Sequence, residues 1–339
     1  MEQLPKSGRR RGLLTIGAKL LLAVLLVLWL TRSGAITPSA VLRNGASLSA
    51  DALAALCVLI ALALGVFRWR LVMASLGVHI GYSRALQVYW IGAFAGTFLP
   101  GAATGDILRA FYVVREAPHA RALAAASVVI DRVVGLAGFM LSGLALTLLR
   151  GDALRHSREL RELATSFGLI LVAVLVSLLG AAWIGRRVFA NGLMARSWGR
   201  LGNARRTVMT QIAAVGYPSL PALLTVLGIS LMIPSLLTCA LLPFISGVSL
   251  GYTSMIDIGI ASNVAQVANT LPLTPGGIGI GEGTFEYVLA LLRHPSPVIG
   301  YGTAFLSLRL VTVAVNAFGG VLFFLPGQRP ASRLPESRR

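Results

Sequence analysis

The acidic residues Glu282 and Glu286 lie four positions apart in an apolar segment. At that spacing two carboxylates share one face of a helix and repel each other. In surroundings of low dielectric constant, we expect at least one of them to be protonated or paired with a cation. Such a cluster inside a membrane indicates a functional site, and an ion pair that only fixes helix packing is the alternative. The candidate cations are Arg109, Arg132 and Arg309.

The run LPLTPGGIGIGEG (271–283) interrupts the apolar segment at these glutamates. Pro272 and Pro275 remove backbone donors and disfavour helix in the residues before them. Irregular backbone at membrane depth persists only where it is buried in protein or lines a wet cavity. The helix that resumes here would present free N–H groups, which suit an anion such as phosphate. A helix–helix contact through a GxxxG pair is the alternative reading of the glycines, which are Gly276, Gly277, Gly279 and Gly281.

A second break of the same kind, FLPGAATGD (98–106), contains Pro100, Gly101 and Gly105. An aspartate and an arginine then lie close together twice, as Asp106 with Arg109 and as Asp131 with Arg132. An arginine at membrane depth needs a carboxylate or a lipid phosphate, and its planar fork binds two phosphate oxygens at once. Asparagines and a glutamine (Asn263, Gln266, Asn269 and Asn316) are expected to form interhelical hydrogen bonds. The predicted substrate-binding residues are Asp106, Arg109, Asp131, Arg132, Asn269, Glu282, Glu286 and Arg309.

The composition indicates a polytopic membrane protein. Of the 339 residues, 56% are hydrophobic and only 12% are charged, against about 25% charged in soluble domains. The net charge of +18 would suit nucleic acid, but the arginines lie between apolar runs and at both ends, where lipid head groups would meet them. We expect no nucleic-acid partner. Neither the two cysteines nor the four histidines have a metal-binding spacing, so we expect no metal and no cofactor.

The elements that position these residues are predicted from apolar runs near the roughly 20 residues that a bilayer requires. Six full membrane helices are expected, and two further apolar segments, 85–99 and 253–271, each run into a proline–glycine break. The basic N-terminus, 1–13, and the tail, 326–339, flank a single membrane domain, 14–325. The predicted spans are 14–31, 50–67, 122–149, 166–184, 221–242 and 300–325.

Arginine placement predicts how these segments cross the membrane. Arginine-rich segments occur at the N-terminus, near residues 68–84, within 185–219 and at the C-terminus. All four can be cytoplasmic only if 85–121 enters and leaves the membrane from the cytoplasmic side. The arginine placement therefore predicts a re-entrant hairpin at each break, the second entering from the opposite side. The halves 14–149 and 166–325 then form an inverted repeat of the kind found in transporters; two ordinary kinked spans are the alternative.

Three motifs carry a resemblance to a known family: FLPGAATGDILRAF, IDRVVGLAGF and LPLTPGGIGIGEGTF, in that order. Together they resemble the membrane domain of lysylphosphatidylglycerol synthases and the stand-alone flippase-like proteins that share it, over about residues 14–325. Asp131 departs from the glutamate that often precedes the arginine of the second motif. The resemblance implies a lipid translocation domain with two re-entrant hairpins facing a cavity. It does not imply aminoacylation, because that chemistry resides in a separate soluble domain, which we do not expect in this chain.

The sequence thus predicts an all-α inner-membrane protein, with both termini cytoplasmic, that moves an anionic or phosphate-bearing lipid between leaflets. The lipid is a phospholipid or a polyprenyl lipid, and we do not expect an enzyme. A lipid-synthesis enzyme and a second copy of the chain are candidate partners. Two other functions remain open: a scaffold for a lipid-modifying enzyme, and a head-group transferase that uses the membrane carboxylates to hold a divalent ion.

Overall fold

The computed structural model describes residues 28, 31, 32, 39, 48–98, 103–190, 220–246, 254–271, 274, 277–292 and 300–324. These residues form ten helices, which confirms the all-α prediction. Pro100, Gly101, Pro272, Pro275 and Gly276 lie outside the described residues, as do the predicted terminal segments and nearly all of 14–31. The helices are α1 (Leu48–Ser75), α2 (Tyr82–Phe98), α3 (Thr104–Glu116), α4 (Arg121–Leu149), α5 (Gly151–His156), α6 (Arg158–Ala190), α7 (Leu220–Ser246), α8 (Met255–Ala268), α9 (Ile280–Leu292) and α10 (Tyr301–Phe324).

Four of the described helices, α1, α4, α7 and α10, are long and apolar enough to cross a membrane. They correspond to four of the six predicted spans, and the predicted span 166–184 lies within α6. The prediction for α1 was too short: the helix continues past residue 67 to Ser75. Arg68, which the sequence reading assigned to a loop, is therefore a helical residue. Its neighbours Trp69, Val72 and Met73 are buried, so the apolar face of α1 extends past the arginine.

The helices at the two sequence breaks are shorter and come in pairs. α2, α3, α8 and α9 have 17, 13, 14 and 13 residues, which at about 1.5 Å per residue is less than the roughly 30 Å hydrocarbon core. α2 and α3 pack against each other and run antiparallel, because Arg84 in the first turn of α2 pairs with Glu116 at the end of α3 (Nη2–Oε1 2.7 Å). α8 and α9 form a second packed pair.

The packing between helices is reciprocal. α1 packs on α7, α2 packs on α10, and α8 packs on α4. Likewise α3 contacts α4 as α9 contacts α10, and α1 contacts α4 as α7 contacts α10. Each short pair therefore contacts both the long helix that follows it and the corresponding long helix of the other half.

Small residues and polar side chains make these contacts close. A Cβ at Gly319 of α10 would overlap the carbonyl of Trp90 in α2, and Trp90 Nε1 donates to the carbonyl of Val315 at 3.0 Å. Close approach matters because lipid tails are as apolar as side chains, so packing and hydrogen bonds carry helix association. The predicted interhelical role of asparagine is confirmed at Asn263, which bonds Ser142 of α4, and at Asn316, which bonds Thr97 of α2.

Candidate functional site

Asp131 is the centre of a charged network in the first half of the chain. It lies in α4 and is buried. Its Oδ1 accepts from Arg68 Nε of α1 at 2.9 Å, and its Oδ2 accepts from Arg109 Nη2 of α3 at 3.0 Å. A charge this far from water is tolerated only when it is paired and hydrogen-bonded. Asp131 therefore binds three helices together through two guanidinium groups.

Arg109 is held between two aromatic rings as well as by its carboxylate. Its guanidinium lies 4.5 Å from the ring centre of Trp69 and 4.2 Å from that of Tyr89, an arrangement in which the ring faces attract the cation. Gly92 of α2 makes room for it, since a Cβ there would overlap the Arg109 side chain. The packing fixes this guanidinium between α1, α2 and α3.

Asp106 connects Arg109 to a more accessible arginine. Arg109 Nη1 lies 3.7 Å from Asp106 Oδ1, and Arg132 Nη1 donates to Asp106 Oδ2 at 2.8 Å. The Arg132 side chain is 40% exposed, whereas those of Arg68 and Arg109 are almost fully buried. Of these three arginines, Arg132 is therefore the one best placed to meet a ligand.

A second charged network lies in the other half, between α9 and α10. Glu282 is fully buried; its Oε1 accepts from Arg309 Nε, and its Oε2 accepts from the backbone N–H of Gly279 at 2.9 Å. Arg309 Nη2 also donates to Asn269 Oδ1 at 2.9 Å and to the carbonyl of Gly277 at 3.1 Å. Of the three cations considered for Glu282, the structure selects Arg309.

The glycines of the second break fit this network. Gly277 and Gly279 have φ values of +71° and +84°, in the region that glycine enters at little cost. A Cβ at Gly277 or Gly281 would meet the Asn269 amide. The GxxxG pair is thus a close approach within the α8–α9 pair, and it leaves space for the amide that orients Arg309. Gly105 makes the corresponding contact in the first pair, where it lies against the backbone of Gly92 and Gly96.

Glu286 and Glu282 contact different groups. The two carboxylate oxygens of Glu286 accept from the backbone N–H groups of Gly300 and Gly302, at 2.9 and 2.7 Å. These groups are at the start of α10, where free N–H groups and the helix dipole favour a negative charge. The spacing predicted that the two glutamates repel each other on one helix face. In the structure each carboxylate is stabilised by a different partner. Glu286 is not among the residues that line the two cavities described below.

Replacing Glu286 by glutamine is expected to lower the melting temperature of the protein. One amide oxygen replaces two charged acceptors, so the start of α10 loses charge-assisted hydrogen bonds worth about 1–3 kcal/mol. Thermal unfolding of the detergent-solubilised protein measures the change. Glu162→Gln removes the same charge at an exposed position of α6 and should leave the melting temperature unchanged. Equal melting temperatures for the two variants would contradict this role of Glu286.

A cavity of about 310 Å³ lies between the two networks. Arg132 and Arg309 both line it, one from each half, together with polar residues from α2 and from the second break. A smaller cavity of about 210 Å³ adjoins the first, since Arg132 and Gly96 line both. The larger cavity also includes Thr97, Gln266, Asn269, Thr270, Thr274 and Thr312; the smaller includes Tyr89, Asp106 and Arg109.

Two ion pairs, one in the first network and one outside both networks, were not foreseen from the sequence. Arg68 reaches Asp131 from α1, and the unbroken apolar face of α1 was the signal that could have placed it in a helix. Arg150, at the end of α4, pairs with the buried Asp257 in the first turn of α8 (Nε–Oδ1 2.9 Å). Asp257 is an isolated acid in an apolar segment, which by itself calls for a cation.

Long apolar helices, two pairs of short helices and a cavity with paired charges on its wall define a multi-pass α-helical membrane protein. No match to a curated protein was found. The chain belongs to the family of the lysylphosphatidylglycerol synthase transmembrane region, whose model matches residues 16–325, as the three sequence motifs predicted.

Proposed function

We propose that this protein moves a phosphate-bearing lipid between the two leaflets of its membrane, with the lipid phosphate held in the larger cavity. The observation that carries the proposal is that Arg132 and Arg309 line one cavity from opposite halves of the chain. Ionisable groups at membrane depth are costly and mark substrate paths. The family adds support, because its name refers to a membrane phospholipid.

The chemistry of the wall suits a phosphate. Arginine presents several N–H donors in a planar fork that matches phosphate oxygens. Among the described residues, Arg132 makes one hydrogen bond, through Nη1 to Asp106, so its other donors are available to a ligand. Thr97, Thr270 and Asn269 line the same cavity and add neutral polar groups, which would take part in holding a head group.

The reciprocal packing supports an inverted repeat with two re-entrant hairpins. In this arrangement α2–α3 and α8–α9 enter the membrane from opposite sides. Each of these four helices, over its described residues, is shorter than the hydrocarbon core is thick. α2 of the first half packs on α10 of the second, and α8 of the second half packs on α4 of the first. A twofold axis that relates the two halves produces this pattern. Such a repeat allows one half to move against the other around a central site.

We also propose an orientation and a membrane. Both termini lie in the cytoplasm in this proposal, because the arginine-rich segments then share the cytoplasmic side, and the proposed membrane is the bacterial inner membrane. A lipid-synthesis enzyme that supplies the substrate and a second copy of the chain are the proposed partners.

Glu282 has the role of a gate in this proposal. An incoming phosphate competes with Glu282 for Arg309, and the carboxylate then accepts a proton or keeps its bond to the Gly279 N–H. Each of the four carboxylates first considered as metal ligands already has another partner: Asp106 binds Arg132, Asp131 binds Arg68 and Arg109, Glu282 binds Arg309, and Glu286 binds the backbone. This arrangement favours transport over head-group transfer.

Transfer of a labelled phospholipid in proteoliposomes tests the function. The protein should accelerate movement between leaflets above protein-free vesicles. Glu282→Gln should slow this movement, because a neutral side chain no longer displaces the bound phosphate from Arg309. Glu162→Gln is the control at an exposed position. Phospholipid movement that is no faster with the protein than without it would contradict the proposal. If Glu282→Gln moved lipid as fast as the unmodified protein, the gate assignment would be wrong.

A further inference from the structure

Asp106 and Glu282 occupy equivalent positions in the two halves but differ in burial. Each is the third residue of the second helix in its short pair, α3 or α9. Each pairs with an arginine of the long helix that follows, Arg132 or Arg309. The Asp106 side chain is 25% exposed, whereas that of Glu282 is not exposed at all. The loss of its arginine therefore has different consequences for each carboxylate.

Asp106, Asp131 and Glu286 keep their charge compensated when a phosphate enters the larger cavity. Asp106 retains Arg109, whose Nη1 lies 3.7 Å from its Oδ1, and it is partly exposed to water. Asp131 retains both Arg68 and Arg109. Glu286 binds the backbone N–H groups at the start of α10 and lines neither cavity. None of these three carboxylates has to change its protonation state.

Glu282 has no such compensation. Among the described residues, the cation that pairs with it is Arg309 alone. Its two oxygens accept from Nε and Nη2, which form one edge of that guanidinium. A phosphate that takes this edge removes both hydrogen bonds at once. What remains is the backbone N–H of Gly279, a neutral donor that does not balance a buried charge.

No second cation from the neighbouring helices pairs with Glu282 in the described part of the chain. α9 packs on α8, α10 and α6. The only charged residue of α8 is Asp257, which pairs with Arg150. In α6 the charged residues lie in the first five positions, where Arg158 pairs with Glu162, and near the end. The other titratable groups on α9 and α10 are Glu286, Tyr287 and Tyr301.

We infer that Glu282 takes up a proton each time a lipid phosphate binds, so that proton and lipid cross the membrane together. The inference rests on the proposed function and adds its energy source. The phosphate engages Arg309 and, across the cavity, Arg132. The Glu282 carboxylate then accepts a proton from the cavity, which is polar and large enough for water. An O–H bond forms, and no buried charge is left unpaired.

Release of the lipid reverses the exchange. The phosphate leaves Arg309, the Glu282 O–H bond breaks, and the proton returns to water on the side to which the cavity is then open. With a lipid that bears one negative charge, such as phosphatidylglycerol, the proton and the lipid cross without net charge. A pH gradient should therefore drive the lipid, whereas an electrical potential should not.

Proton uptake on binding is the first test, and it requires no transport. Phosphatidylglycerol and, separately, a polyprenyl phosphate joined to a sugar are added to the purified full-length chain in detergent. The solution is weakly buffered near neutral pH and contains a pH-indicator dye. The unmodified protein should take up about one proton for each lipid that it binds, and its affinity should rise by up to about tenfold for each unit by which the pH falls. The lipid that binds more tightly identifies the source of the phosphate.

Two variants assign the proton to Glu282. Glu282→Gln should bind lipid without proton uptake and with an affinity that does not change with pH, because the amide is neutral in both states. Glu162→Gln removes an exposed carboxylate of α6 and should keep the uptake of the unmodified protein. Saturable binding to the unmodified protein without proton uptake, or equal uptake by Glu282→Gln, would overturn the inference. The first of these results does not depend on how the variant folds.

Transfer in proteoliposomes separates the inference from the proposed function. A gradient of about one pH unit should shift labelled phosphatidylglycerol by up to about tenfold towards the alkaline side, and a potassium diffusion potential should leave its distribution unchanged. Lipid movement that follows the potential and ignores the pH gradient would overturn the coupling and leave the proposed function intact. Proton uptake by a chain that never moves lipid would contradict the proposed function but not the role of Glu282 in binding. No saturable binding of either lipid would contradict both.

Discussion

Replacing Asp131 by asparagine is expected to destabilise the protein more than any other single substitution in the two charged networks. The change leaves two buried guanidinium groups, Arg68 and Arg109, without the carboxylate that they share. Removing one partner from a buried ion pair costs about 3–5 kcal/mol, because the remaining charge stays uncompensated. The melting temperature and the yield of folded protein in detergent should both fall sharply.

Two further variants separate this explanation from a simple packing defect. Arg68→Gln combined with Asp131→Asn removes one charge of each sign and should recover part of the lost stability, since Arg109 keeps Asp106 as a neighbour. Asp106→Asn should cost less than Asp131→Asn, because the Asp106 side chain is more exposed. A double variant that is less stable than Asp131→Asn alone would argue against the shared-carboxylate explanation.

Replacing Arg132 by glutamine is expected to have the largest effect on transport with the smallest effect on folding. The Arg132–Asp106 pair is partly exposed, and such pairs contribute about 1 kcal/mol or less to stability. Loss of a charge-assisted bond to a phosphate costs about 1.5–3 kcal/mol, which corresponds to a reduction of about 10- to 100-fold in the rate of lipid transfer at limiting lipid.

Arg115→Gln is the matched control for this variant. Arg115 is exposed near the end of α3, where its guanidinium lies over the Phe111 ring, and the substitution removes the same charge away from the cavity. Proteoliposomes with equal amounts of each folded variant give the comparison. The proposed role of Arg132 would fail if both arginine variants transferred lipid at the rate of the unmodified protein.

The features that could be predicted from the sequence are those set by local chemistry. Apolar runs of sufficient length predicted α1, α4, α7 and α10, because membrane thickness fixes the length of a crossing helix. The proline–glycine breaks predicted the ends of α2 and α8. Asp106, Arg109, Asp131 and Arg132 were identified because charges in apolar segments require partners. The three motifs, taken together, predicted the family.

The pairings between these residues depend on tertiary packing and could not be read from spacing alone. Arg68 was assigned to a loop because a charge next to an apolar run resembles the end of a span. The apolar face of α1 continues past it, but only the packing of α1 against α4 shows that its partner is Asp131. Glu282 and Glu286 share a helix face by spacing, yet one faces Arg309 and the other faces the start of α10. That separation is determined by where α10 begins relative to α9, and local sequence carries no such information.

Photo-crosslinking tests whether a lipid phosphate occupies the cavity between Arg132 and Arg309. A phospholipid with a photoreactive group next to its phosphate is added to the full-length protein in lipid vesicles, and the labelled peptides are identified by mass spectrometry. Labelling is expected at cavity residues such as Thr97 and Thr270, with a strong reduction in Arg132→Gln and no reduction in Arg115→Gln. Labelling confined to the exposed outer faces of the long helices, equal in all three proteins, would contradict the claim that a lipid phosphate occupies the cavity between Arg132 and Arg309.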